Sequence, residues 1–539
     1  MKKQTFIKSS VILMLSAVTA KILGALFKIP LTNLLGGVGM SYFSCAYSLF
    51  MPIYALTVTG LSTAVAAMTA RSAALGMYGN MRRIRRVALM VFSVVGIIGS
   101  LAIFLLAVPF SILSSGSCES ALAVAMIAPS VFFGCITAVE RGYYEGMSNM
   151  YPTALSQAIE GIVKVGAGLW LCSYVNSHGS LIISYFPGIT DIRVIAAAAG
   201  ILGVTLSSVG ASAFFGIMNL FRSRKPQTGE DLMMSRREIS VELIKTALPI
   251  GIGAVVTNLT AIIDMVTIIG CISYFGCKTK IPVTVAAEDI PKFVYGSFAG
   301  IALTVFNLVP SVTNMLGKGV IPCITSAWTA GDKKALGRES SNAILTAAII
   351  SVPAAFGLGV LSQQILDLLF SRQSEEAEIC VNALRFLMPG MVCLCVSFPV
   401  FSMLQAIGKA AVPLKIMLMG TVVKLVGNLI FIPVMGVDGA AASTSLCYGA
   451  ILVVSLWAYV RSAGISLKIS PFISVLYAGL LCGTTAFLAA DVCGRCGMSS
   501  LVSSASAIIS GGVIYIISLY LLSLNIRQHR LKKYRTSNI

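Results

Sequence analysis

Long apolar runs recur from one end of this chain to the other, broken by short polar segments. The runs are near-continuous and do not alternate at period two, which excludes the pattern of a membrane β-barrel. A helix needs about 20 apolar residues to cross a bilayer, and the pattern predicts fourteen such spans. They cover 6–34, 42–68, 87–110, 121–140, 153–175, 192–221, 241–272, 293–327, 340–370, 379–405, 411–435, 439–460, 472–491 and 499–524. Backbone groups in lipid must be bonded within their own segment, so the spans are expected to be helices. The fold class that follows is all-α, a polytopic membrane protein. The first run is too long for a cleaved signal and has no small-residue cleavage site after it, so it reads as the first membrane helix.

Composition agrees. Of 539 residues, 57% are hydrophobic and 11% charged, against about 25% charged in a soluble domain. The net charge of +19 is distributed unevenly. With the N-terminus placed in the cytoplasm, 27 of the 39 lysines and arginines fall on the inner side and seven on the outer, while the acids divide almost evenly. That asymmetry predicts a plasma-membrane protein with both termini on the cytoplasmic side. The basic excess then faces anionic membrane lipid, and no nucleic acid is needed to account for it.

Three local matches predict a duplication. Ile7–Lys8 and Ala17–Val18 recur at Ile244–Lys245 and Ala254–Val255. "GMSNMYPTALSQAIEGIVKVG" from Gly146 resembles "GKAAVPLKIMLMGTVVKLVG" from Gly408, which sets Pro152 against Pro413 and Lys164 against Lys424. "AAAAGILG" in span six sits beside "GAAASTS" in span twelve. The reading is two six-helix lobes, 1–221 and 241–462, joined by a cytoplasmic linker at 222–240. Residues 463–539 add two helices and a basic tail. Six is even, so the halves enter the bilayer the same way up, related by a pseudo-two-fold along the membrane normal.

Charges inside the spans carry the candidate chemistry. Lys21 and Lys28 stand seven residues apart, on one helix face with about 10.5 Å of rise between them. Each ionised lysine near the membrane centre costs about 2.5–3.5 kcal/mol, so the face is expected to line a hydrated cavity. The alternative is snorkelling to the headgroups, which suits Lys28 better than Lys21. Pro30 predicts a local distortion of the same helix. Glu160 and Lys164 are spaced and ordered for an i,i+4 pair, which leaves pairing and substrate contact both open. Lys318 lies between glycines in "TNMLGKGVIP", Lys424 repeats Lys164, and Asp264 is the deep acid of span seven, a coupling-ion site or a lysine partner. Asp367 reads as interfacial. The deep positions hold five basic residues and three acids, a balance that attracts anions, and lysine binds phosphate as a mobile point charge.

No GxxxxGK[ST] loop, no intramembrane Ser/His/Asp or Cys/His set and no metal-ligand spacing occurs, so neither an enzyme nor a cofactor is expected. Cys493 and Cys496 form a lone "CGRC" in a predicted outer loop, bridged or not, and the three GxxxG motifs at Gly142, Gly296 and Gly479 point to close helix packing.

Four stretches in order carry a family likeness: "KILGALFKIPLTNLLGGVGMSYFSCAYSLF" from Lys21, "RGYYEGMSNMYPTALSQAIEGIVKV" from Arg141, "YGSFAGIALTVFNLVPSVTNMLGKGVIPCITSAW" from Tyr295 and "LQAIGKAAVPL" from Leu404. The chain resembles the polysaccharide-flippase branch of the multidrug/oligosaccharidyl-lipid/polysaccharide exporter (MOP) superfamily, in particular the stage V sporulation protein B family. The resemblance implies two lobes with alternating access and a lipid-linked anionic saccharide or peptidoglycan precursor as cargo. It also implies basic residues of the first helix, here Lys21 and Lys28, lining the cavity. Lys318 matches a basic residue of the eighth helix less securely. Cell-wall synthesis enzymes are the implied protein partners.

Overall fold

The computed structural model describes residues 6–536 apart from 186–187, 190, 222–233, 277–284 and 468–469, and it does not describe the side chains of 6–14, 17, 180, 318, 470 and 522–536. Nineteen α-helices follow one another among the described residues: α1 (Phe6–Tyr54), α2 (Gly60–Ala74), α3 (Tyr78–Ser115), α4 (Ala121–Ile127), α5 (Pro129–Gly146), α6 (Tyr151–Ser177), α7 (Gly179–Tyr185), α8 (Ile192–Leu220), α9 (Arg236–Phe275), α10 (Ile290–Ser297), α11 (Leu303–Phe306), α12 (Leu308–Thr329), α13 (Lys333–Val360), α14 (Ser362–Leu369), α15 (Ser374–Ala406), α16 (Ala411–Met435), α17 (Val437–Ala463), α18 (Ser470–Arg495) and α19 (Ser500–Thr536). Two π-helical turns interrupt them, at Ala55–Thr59 and Phe298–Ala302.

Among the described residues, twelve helical stretches are long and apolar enough to cross a membrane, or thirteen when the bent pair Ala287–Phe306 and Leu308–Thr329 is counted as one span. One of the twelve, Val18–Ala74, is 57 residues long. A straight helix of that length would run about 85 Å, close to three hydrocarbon thicknesses of about 30 Å. It does not run straight. At Gly36 the backbone takes φ 65° and ψ −177°, outside the helical region, a conformation open to glycine because it lacks a Cβ. Cutting the stretch there recovers the first two predicted spans, and each of the other twelve has its helix. The break lies six residues beyond Pro30, which stays inside the helical run. The chain is thus a multi-pass membrane protein, with rows of large apolar side chains on α3 exposed for lipid (Val94, Ile98, Leu101, Leu105).

The chain divides into two compact units, one holding the described residues up to 300 and the other those from 301 onward. The division groups α9 and α10 with α1–α8, and it leaves the repeat-based lobes as a proposal.

Within the first unit, glycines set the closest approaches. Gly142 and Gly146 of α5 bear on the backbone of α2 at Ser62 and Ala66. Gly251 of α9 lies on Leu56. Gly296 of α10 rests on the carbonyl of Gly37, and Gly300 on Met40, so α10 is laid directly against the second half of α1. In the second unit Gly479 and Gly483 of α18 pack on Val352 and Phe356 of α13. All three GxxxG motifs are therefore contact faces. Local signals start several helices: Asp191 caps α8 by accepting from the Arg193 backbone at 2.8 Å, Ser235 and Glu238 form a capping box on α9, and Asp332 caps α13.

Candidate functional site: a carboxylate-free lysine pair in the first unit

α1 brings a run of aromatic side chains to one face at Phe43, Tyr47, Phe50 and Tyr54, with successive ring centroids 4.9–6.0 Å apart. Phe27, from the helix before the Gly36 break, lies 6.1 Å from Phe43. Lys164 of α6 reaches into this group. Its Nζ donates to the Tyr47 hydroxyl at 2.9 Å and sits 5.1 Å and 5.4 Å from the ring centres of Phe27 and Tyr47. The aromatic faces favour the ammonium electrostatically without cancelling its charge.

Lys28, next to Phe27 in sequence, is half-buried, and its Nζ donates to the Ala299 carbonyl at 3.0 Å. Ala299 belongs to the π-helical turn Phe298–Ala302, where the widened hydrogen-bond pattern leaves carbonyls free to accept from side chains. Thr32, one turn beyond Lys28, donates back to the Lys28 carbonyl at 2.9 Å and lies 3.4 Å from the Gly300 carbonyl. Lys28 and Lys164 are within electrostatic reach of each other and repel. Among the described residues neither has an ion pair with an acid.

Of the two readings left open for Glu160 and Lys164, the i,i+4 pair is not formed. Glu160 Oε2 instead accepts from Arg141 of α5 at 2.8 Å, and Arg141 is held by a second donation to Ser156 at 2.8 Å. A planar guanidinium with several donors outcompetes a single ammonium for a carboxylate when both are in range. Arg141 was expected in a cytoplasmic loop. It lies in the last turn-and-a-half of α5, partly buried.

The other candidates are dispersed. Lys21 is exposed on α1, seven residues before Lys28. The Lys318 side chain lies outside the described residues. Lys424 is 2% exposed, and its amine donates to Thr444 at 2.9 Å across the α16–α17 interface of the second unit. Asp264 is buried on α9 within electrostatic reach of Tyr295. Asp367 is exposed and accepts from Gln363, as an interfacial residue would. Cys493 and Cys496 are free thiols, and Cys493 lies 3.1 Å from the Ser506 hydroxyl. Among the described residues no cluster could hold a metal ion.

A second charged group at the Gly36 end of the first unit was not anticipated. Arg193 bridges Asp191 and Asp289, each at 2.8 Å, while Lys292 lies 3.7 Å from Asp289 and pairs with Glu119. Tyr42 and Ser117 also donate to Glu119, at 2.8 Å and 2.9 Å. The trace in the sequence was that Lys292 and Arg193 fell on the predicted outer side. Lys292 is in fact 7% exposed. Burial pushes the Glu119 carboxyl up, but the bonds from Lys292, Tyr42 and Ser117 outweigh it and hold the group below the usual carboxylate range. A carboxylate so depressed adds stability above its unfolded value and loses it as pH falls through the folded one. Purified protein is therefore expected to lose thermal stability as pH falls below about 4, and the Glu119→Gln variant to lose less over the same range. Parallel melting curves for the two proteins would count against this role.

Family models match over most of the chain: one described as Polysaccharide biosynthesis protein covers residues 6–328, and one described as Lipid II flippase MurJ covers 296–510. The chain is homologous to the Lipid II flippase MurJ of Bacillus subtilis (strain 168), at 24% identity over 481 residues, 86% of this chain and 84% of that protein. It is also homologous to Stage V sporulation protein B of the same organism, at 23% over 534 residues, 97% and 96% of the two chains. Among solved structures it is similar to "Lipid II flippase MurJ, inward closed conformation" (TM-score 0.63, 16% identity, 96% of this chain and 99% of that one). It is likewise similar to an inward-facing multidrug resistance MATE family transporter of the MOP superfamily (TM-score 0.62, 17%, 84% and 98%). These two likenesses show the fold that both groups share. Since the first family model spans well over half of the sequence, the chain belongs to the polysaccharide biosynthesis protein family.

Proposed function

We propose that this protein is a flippase for a lipid-linked anionic saccharide or peptidoglycan precursor. On this reading it moves a polyprenyl-diphosphate headgroup across the membrane by alternating access while the lipid tail stays in the bilayer. The observation that carries the reading is the meeting of Lys28 and Lys164, two lysines from different helices with no carboxylate between them. Two repelling ammonium groups set apart from acids are complementary to a group carrying two adjacent negative charges, and lysine binds phosphate without the rigid fork that would slow release. The name of the homologous Lipid II flippase supports the same substrate class.

Lys28 and Lys164 bind the diphosphate in this reading. Lys21, on the same face of α1, draws the headgroup toward them. Lys424 enters the proposal least, because Thr444 already takes up its amine within a packed interface. Asp264 is the candidate for ion coupling. Rocking of 1–221 against 241–462 alternates access, α18 and α19 guide the lipid tail, and both termini face the cytoplasm. Enzymes that make or use the precursor are the proposed partners, with spore cortex or cell-envelope synthesis as the setting. A multidrug exporter shares the fold, but a cationic cargo calls for acids where this site presents lysines.

Reconstitution decides between them. Proteoliposomes holding a fluorescent polyprenyl-diphosphate disaccharide are expected to expose it in the opposite leaflet when the protein is present. No movement of that lipid, together with efflux of a cationic dye, would overturn the reading in favour of the exporter. Inactivity toward both would favour a membrane scaffold for cell-wall synthesis.

A further inference from the structure

Lys164 has a carboxylate of its own helix within one turn, yet does not pair with it. Glu160 and Lys164 are in the i,i+4 order that favours a pair on a helix surface. The carboxylate is turned away to α5, where Arg141 takes it at 2.8 Å, and Arg141 is itself aimed by its 2.8 Å donation to Ser156. The lysine is left with a phenol hydroxyl at 2.9 Å and two ring faces. None of these partners carries a charge. We propose that Arg141 is a specificity-determining residue that never touches cargo: by holding Glu160 it keeps Lys164 uncompensated, and so keeps the site doubly cationic.

The argument rests on the reading of Lys28 and Lys164 as the diphosphate site. A site of one ammonium plus a neutral Glu–Lys pair attracts a dianion far less than a site of two. Arg141 adds its own positive charge at a distance, but its closer effect is to choose Glu160's partner. Removing Arg141 frees the carboxylate to swing one turn along α6 and neutralise Lys164. Removing the carboxylate as well takes that competitor away. The loss and its recovery separate this role from simple packing, because a packing defect at Arg141 is not repaired by an isosteric change at Glu160.

The experiment uses the full chain in lipid nanodiscs and titrates farnesyl diphosphate, with farnesol as the uncharged control. Arg141→Met is expected to weaken diphosphate binding about tenfold, and Arg141→Met/Glu160→Gln to return it to within about twofold of the native protein, in the range of coupling between contacting charged residues. Arg141→Lys keeps charge and most of the volume but grips Glu160 with fewer bonds. It is expected to weaken binding about threefold, and it serves if Arg141→Met does not yield a monodisperse protein. Farnesol affinity should be the same for all variants. Native-like diphosphate affinity in the Arg141 variants, or a loss that Glu160→Gln fails to recover, overturns the role assigned to Arg141 while leaving the diphosphate site standing. Equal affinity of the native protein for farnesol and farnesyl diphosphate overturns the site itself, and this inference with it.

Discussion

Replacing both Lys28 and Lys164 by alanine is expected to lower the rate of headgroup translocation at least 100-fold, with normal membrane insertion. A hydrogen bond to a charged group contributes about 1.5–3 kcal/mol, so losing two of them is about 3–6 kcal/mol, or 10²–10⁴ in affinity. Each single variant should lose less than half of that in free energy, since the remaining ammonium is relieved of its neighbour's repulsion. Lys164→Glu should be worse than Lys164→Ala, because it puts a like charge in the path of the diphosphate. The measurement is flux of a fluorescent polyprenyl-diphosphate saccharide in proteoliposomes, matched for protein incorporation. Transport by the double variant at more than about a third of the native rate, where losses of 10² or more are expected from the bonds removed, would remove the pair from the mechanism.

The second large effect is structural. Gly296→Val is expected to prevent α10 from seating on α1, because a Cβ there meets the carbonyl of Gly37 and the backbone nitrogen of Ser41. Backbone cannot yield as the end of a flexible side chain can, so the helices must separate. Separation pulls Ala299 away from Lys28 and Lys292 away from Glu119. Overpacking of this kind joins two other losses, and a destabilisation of about 4 kcal/mol or more belongs to that class of substitution. Fluorescence-detected size exclusion should show aggregated or absent protein. By contrast Gly253→Val, on α9 with open space around its Cβ position, should accumulate normally. Equal yields for the two variants would mean that the α1–α10 contact is dispensable.

The helices were legible in the sequence because lipid imposes a single strong rule, a long apolar run that satisfies its own backbone. That rule located all fourteen runs. It could not say that the first two join into one helical stretch, since hydropathy is blind to a helix continuing through glycine-rich 35–41 with a break at Gly36. Nor does it register a π-helical turn, which costs one extra residue and changes no composition. The site was half legible. Lysines inside apolar spans announced themselves by their desolvation cost; Lys28 stood without an acid nearby in the sequence, while Lys164 had Glu160 one turn before it. Their surroundings were not visible, because the deciding partners come from far along the chain. Tyr47 is 117 residues from Lys164, and Ala299 is 271 from Lys28. The i,i+4 rule pointed Glu160 to Lys164, while a guanidinium 19 residues away had the better geometry. The aromatic spacing from Phe43 to Tyr54 was the available clue, since it marks one helix face as built to receive something planar or cationic.

The alternating chain from Asp191 through Arg193, Asp289 and Lys292 to Glu119 has a practical bearing on hybrid proteins. Its members come from three separate stretches, 116–120, 191–193 and 287–292, tied to one another by the Arg193–Asp289 and Lys292–Glu119 pairs. A graft from a relative that brings one of these alone would strand a buried lysine or a carboxylate. Exchanges that keep the three stretches of common parentage should assemble, and those that mix their origins should not.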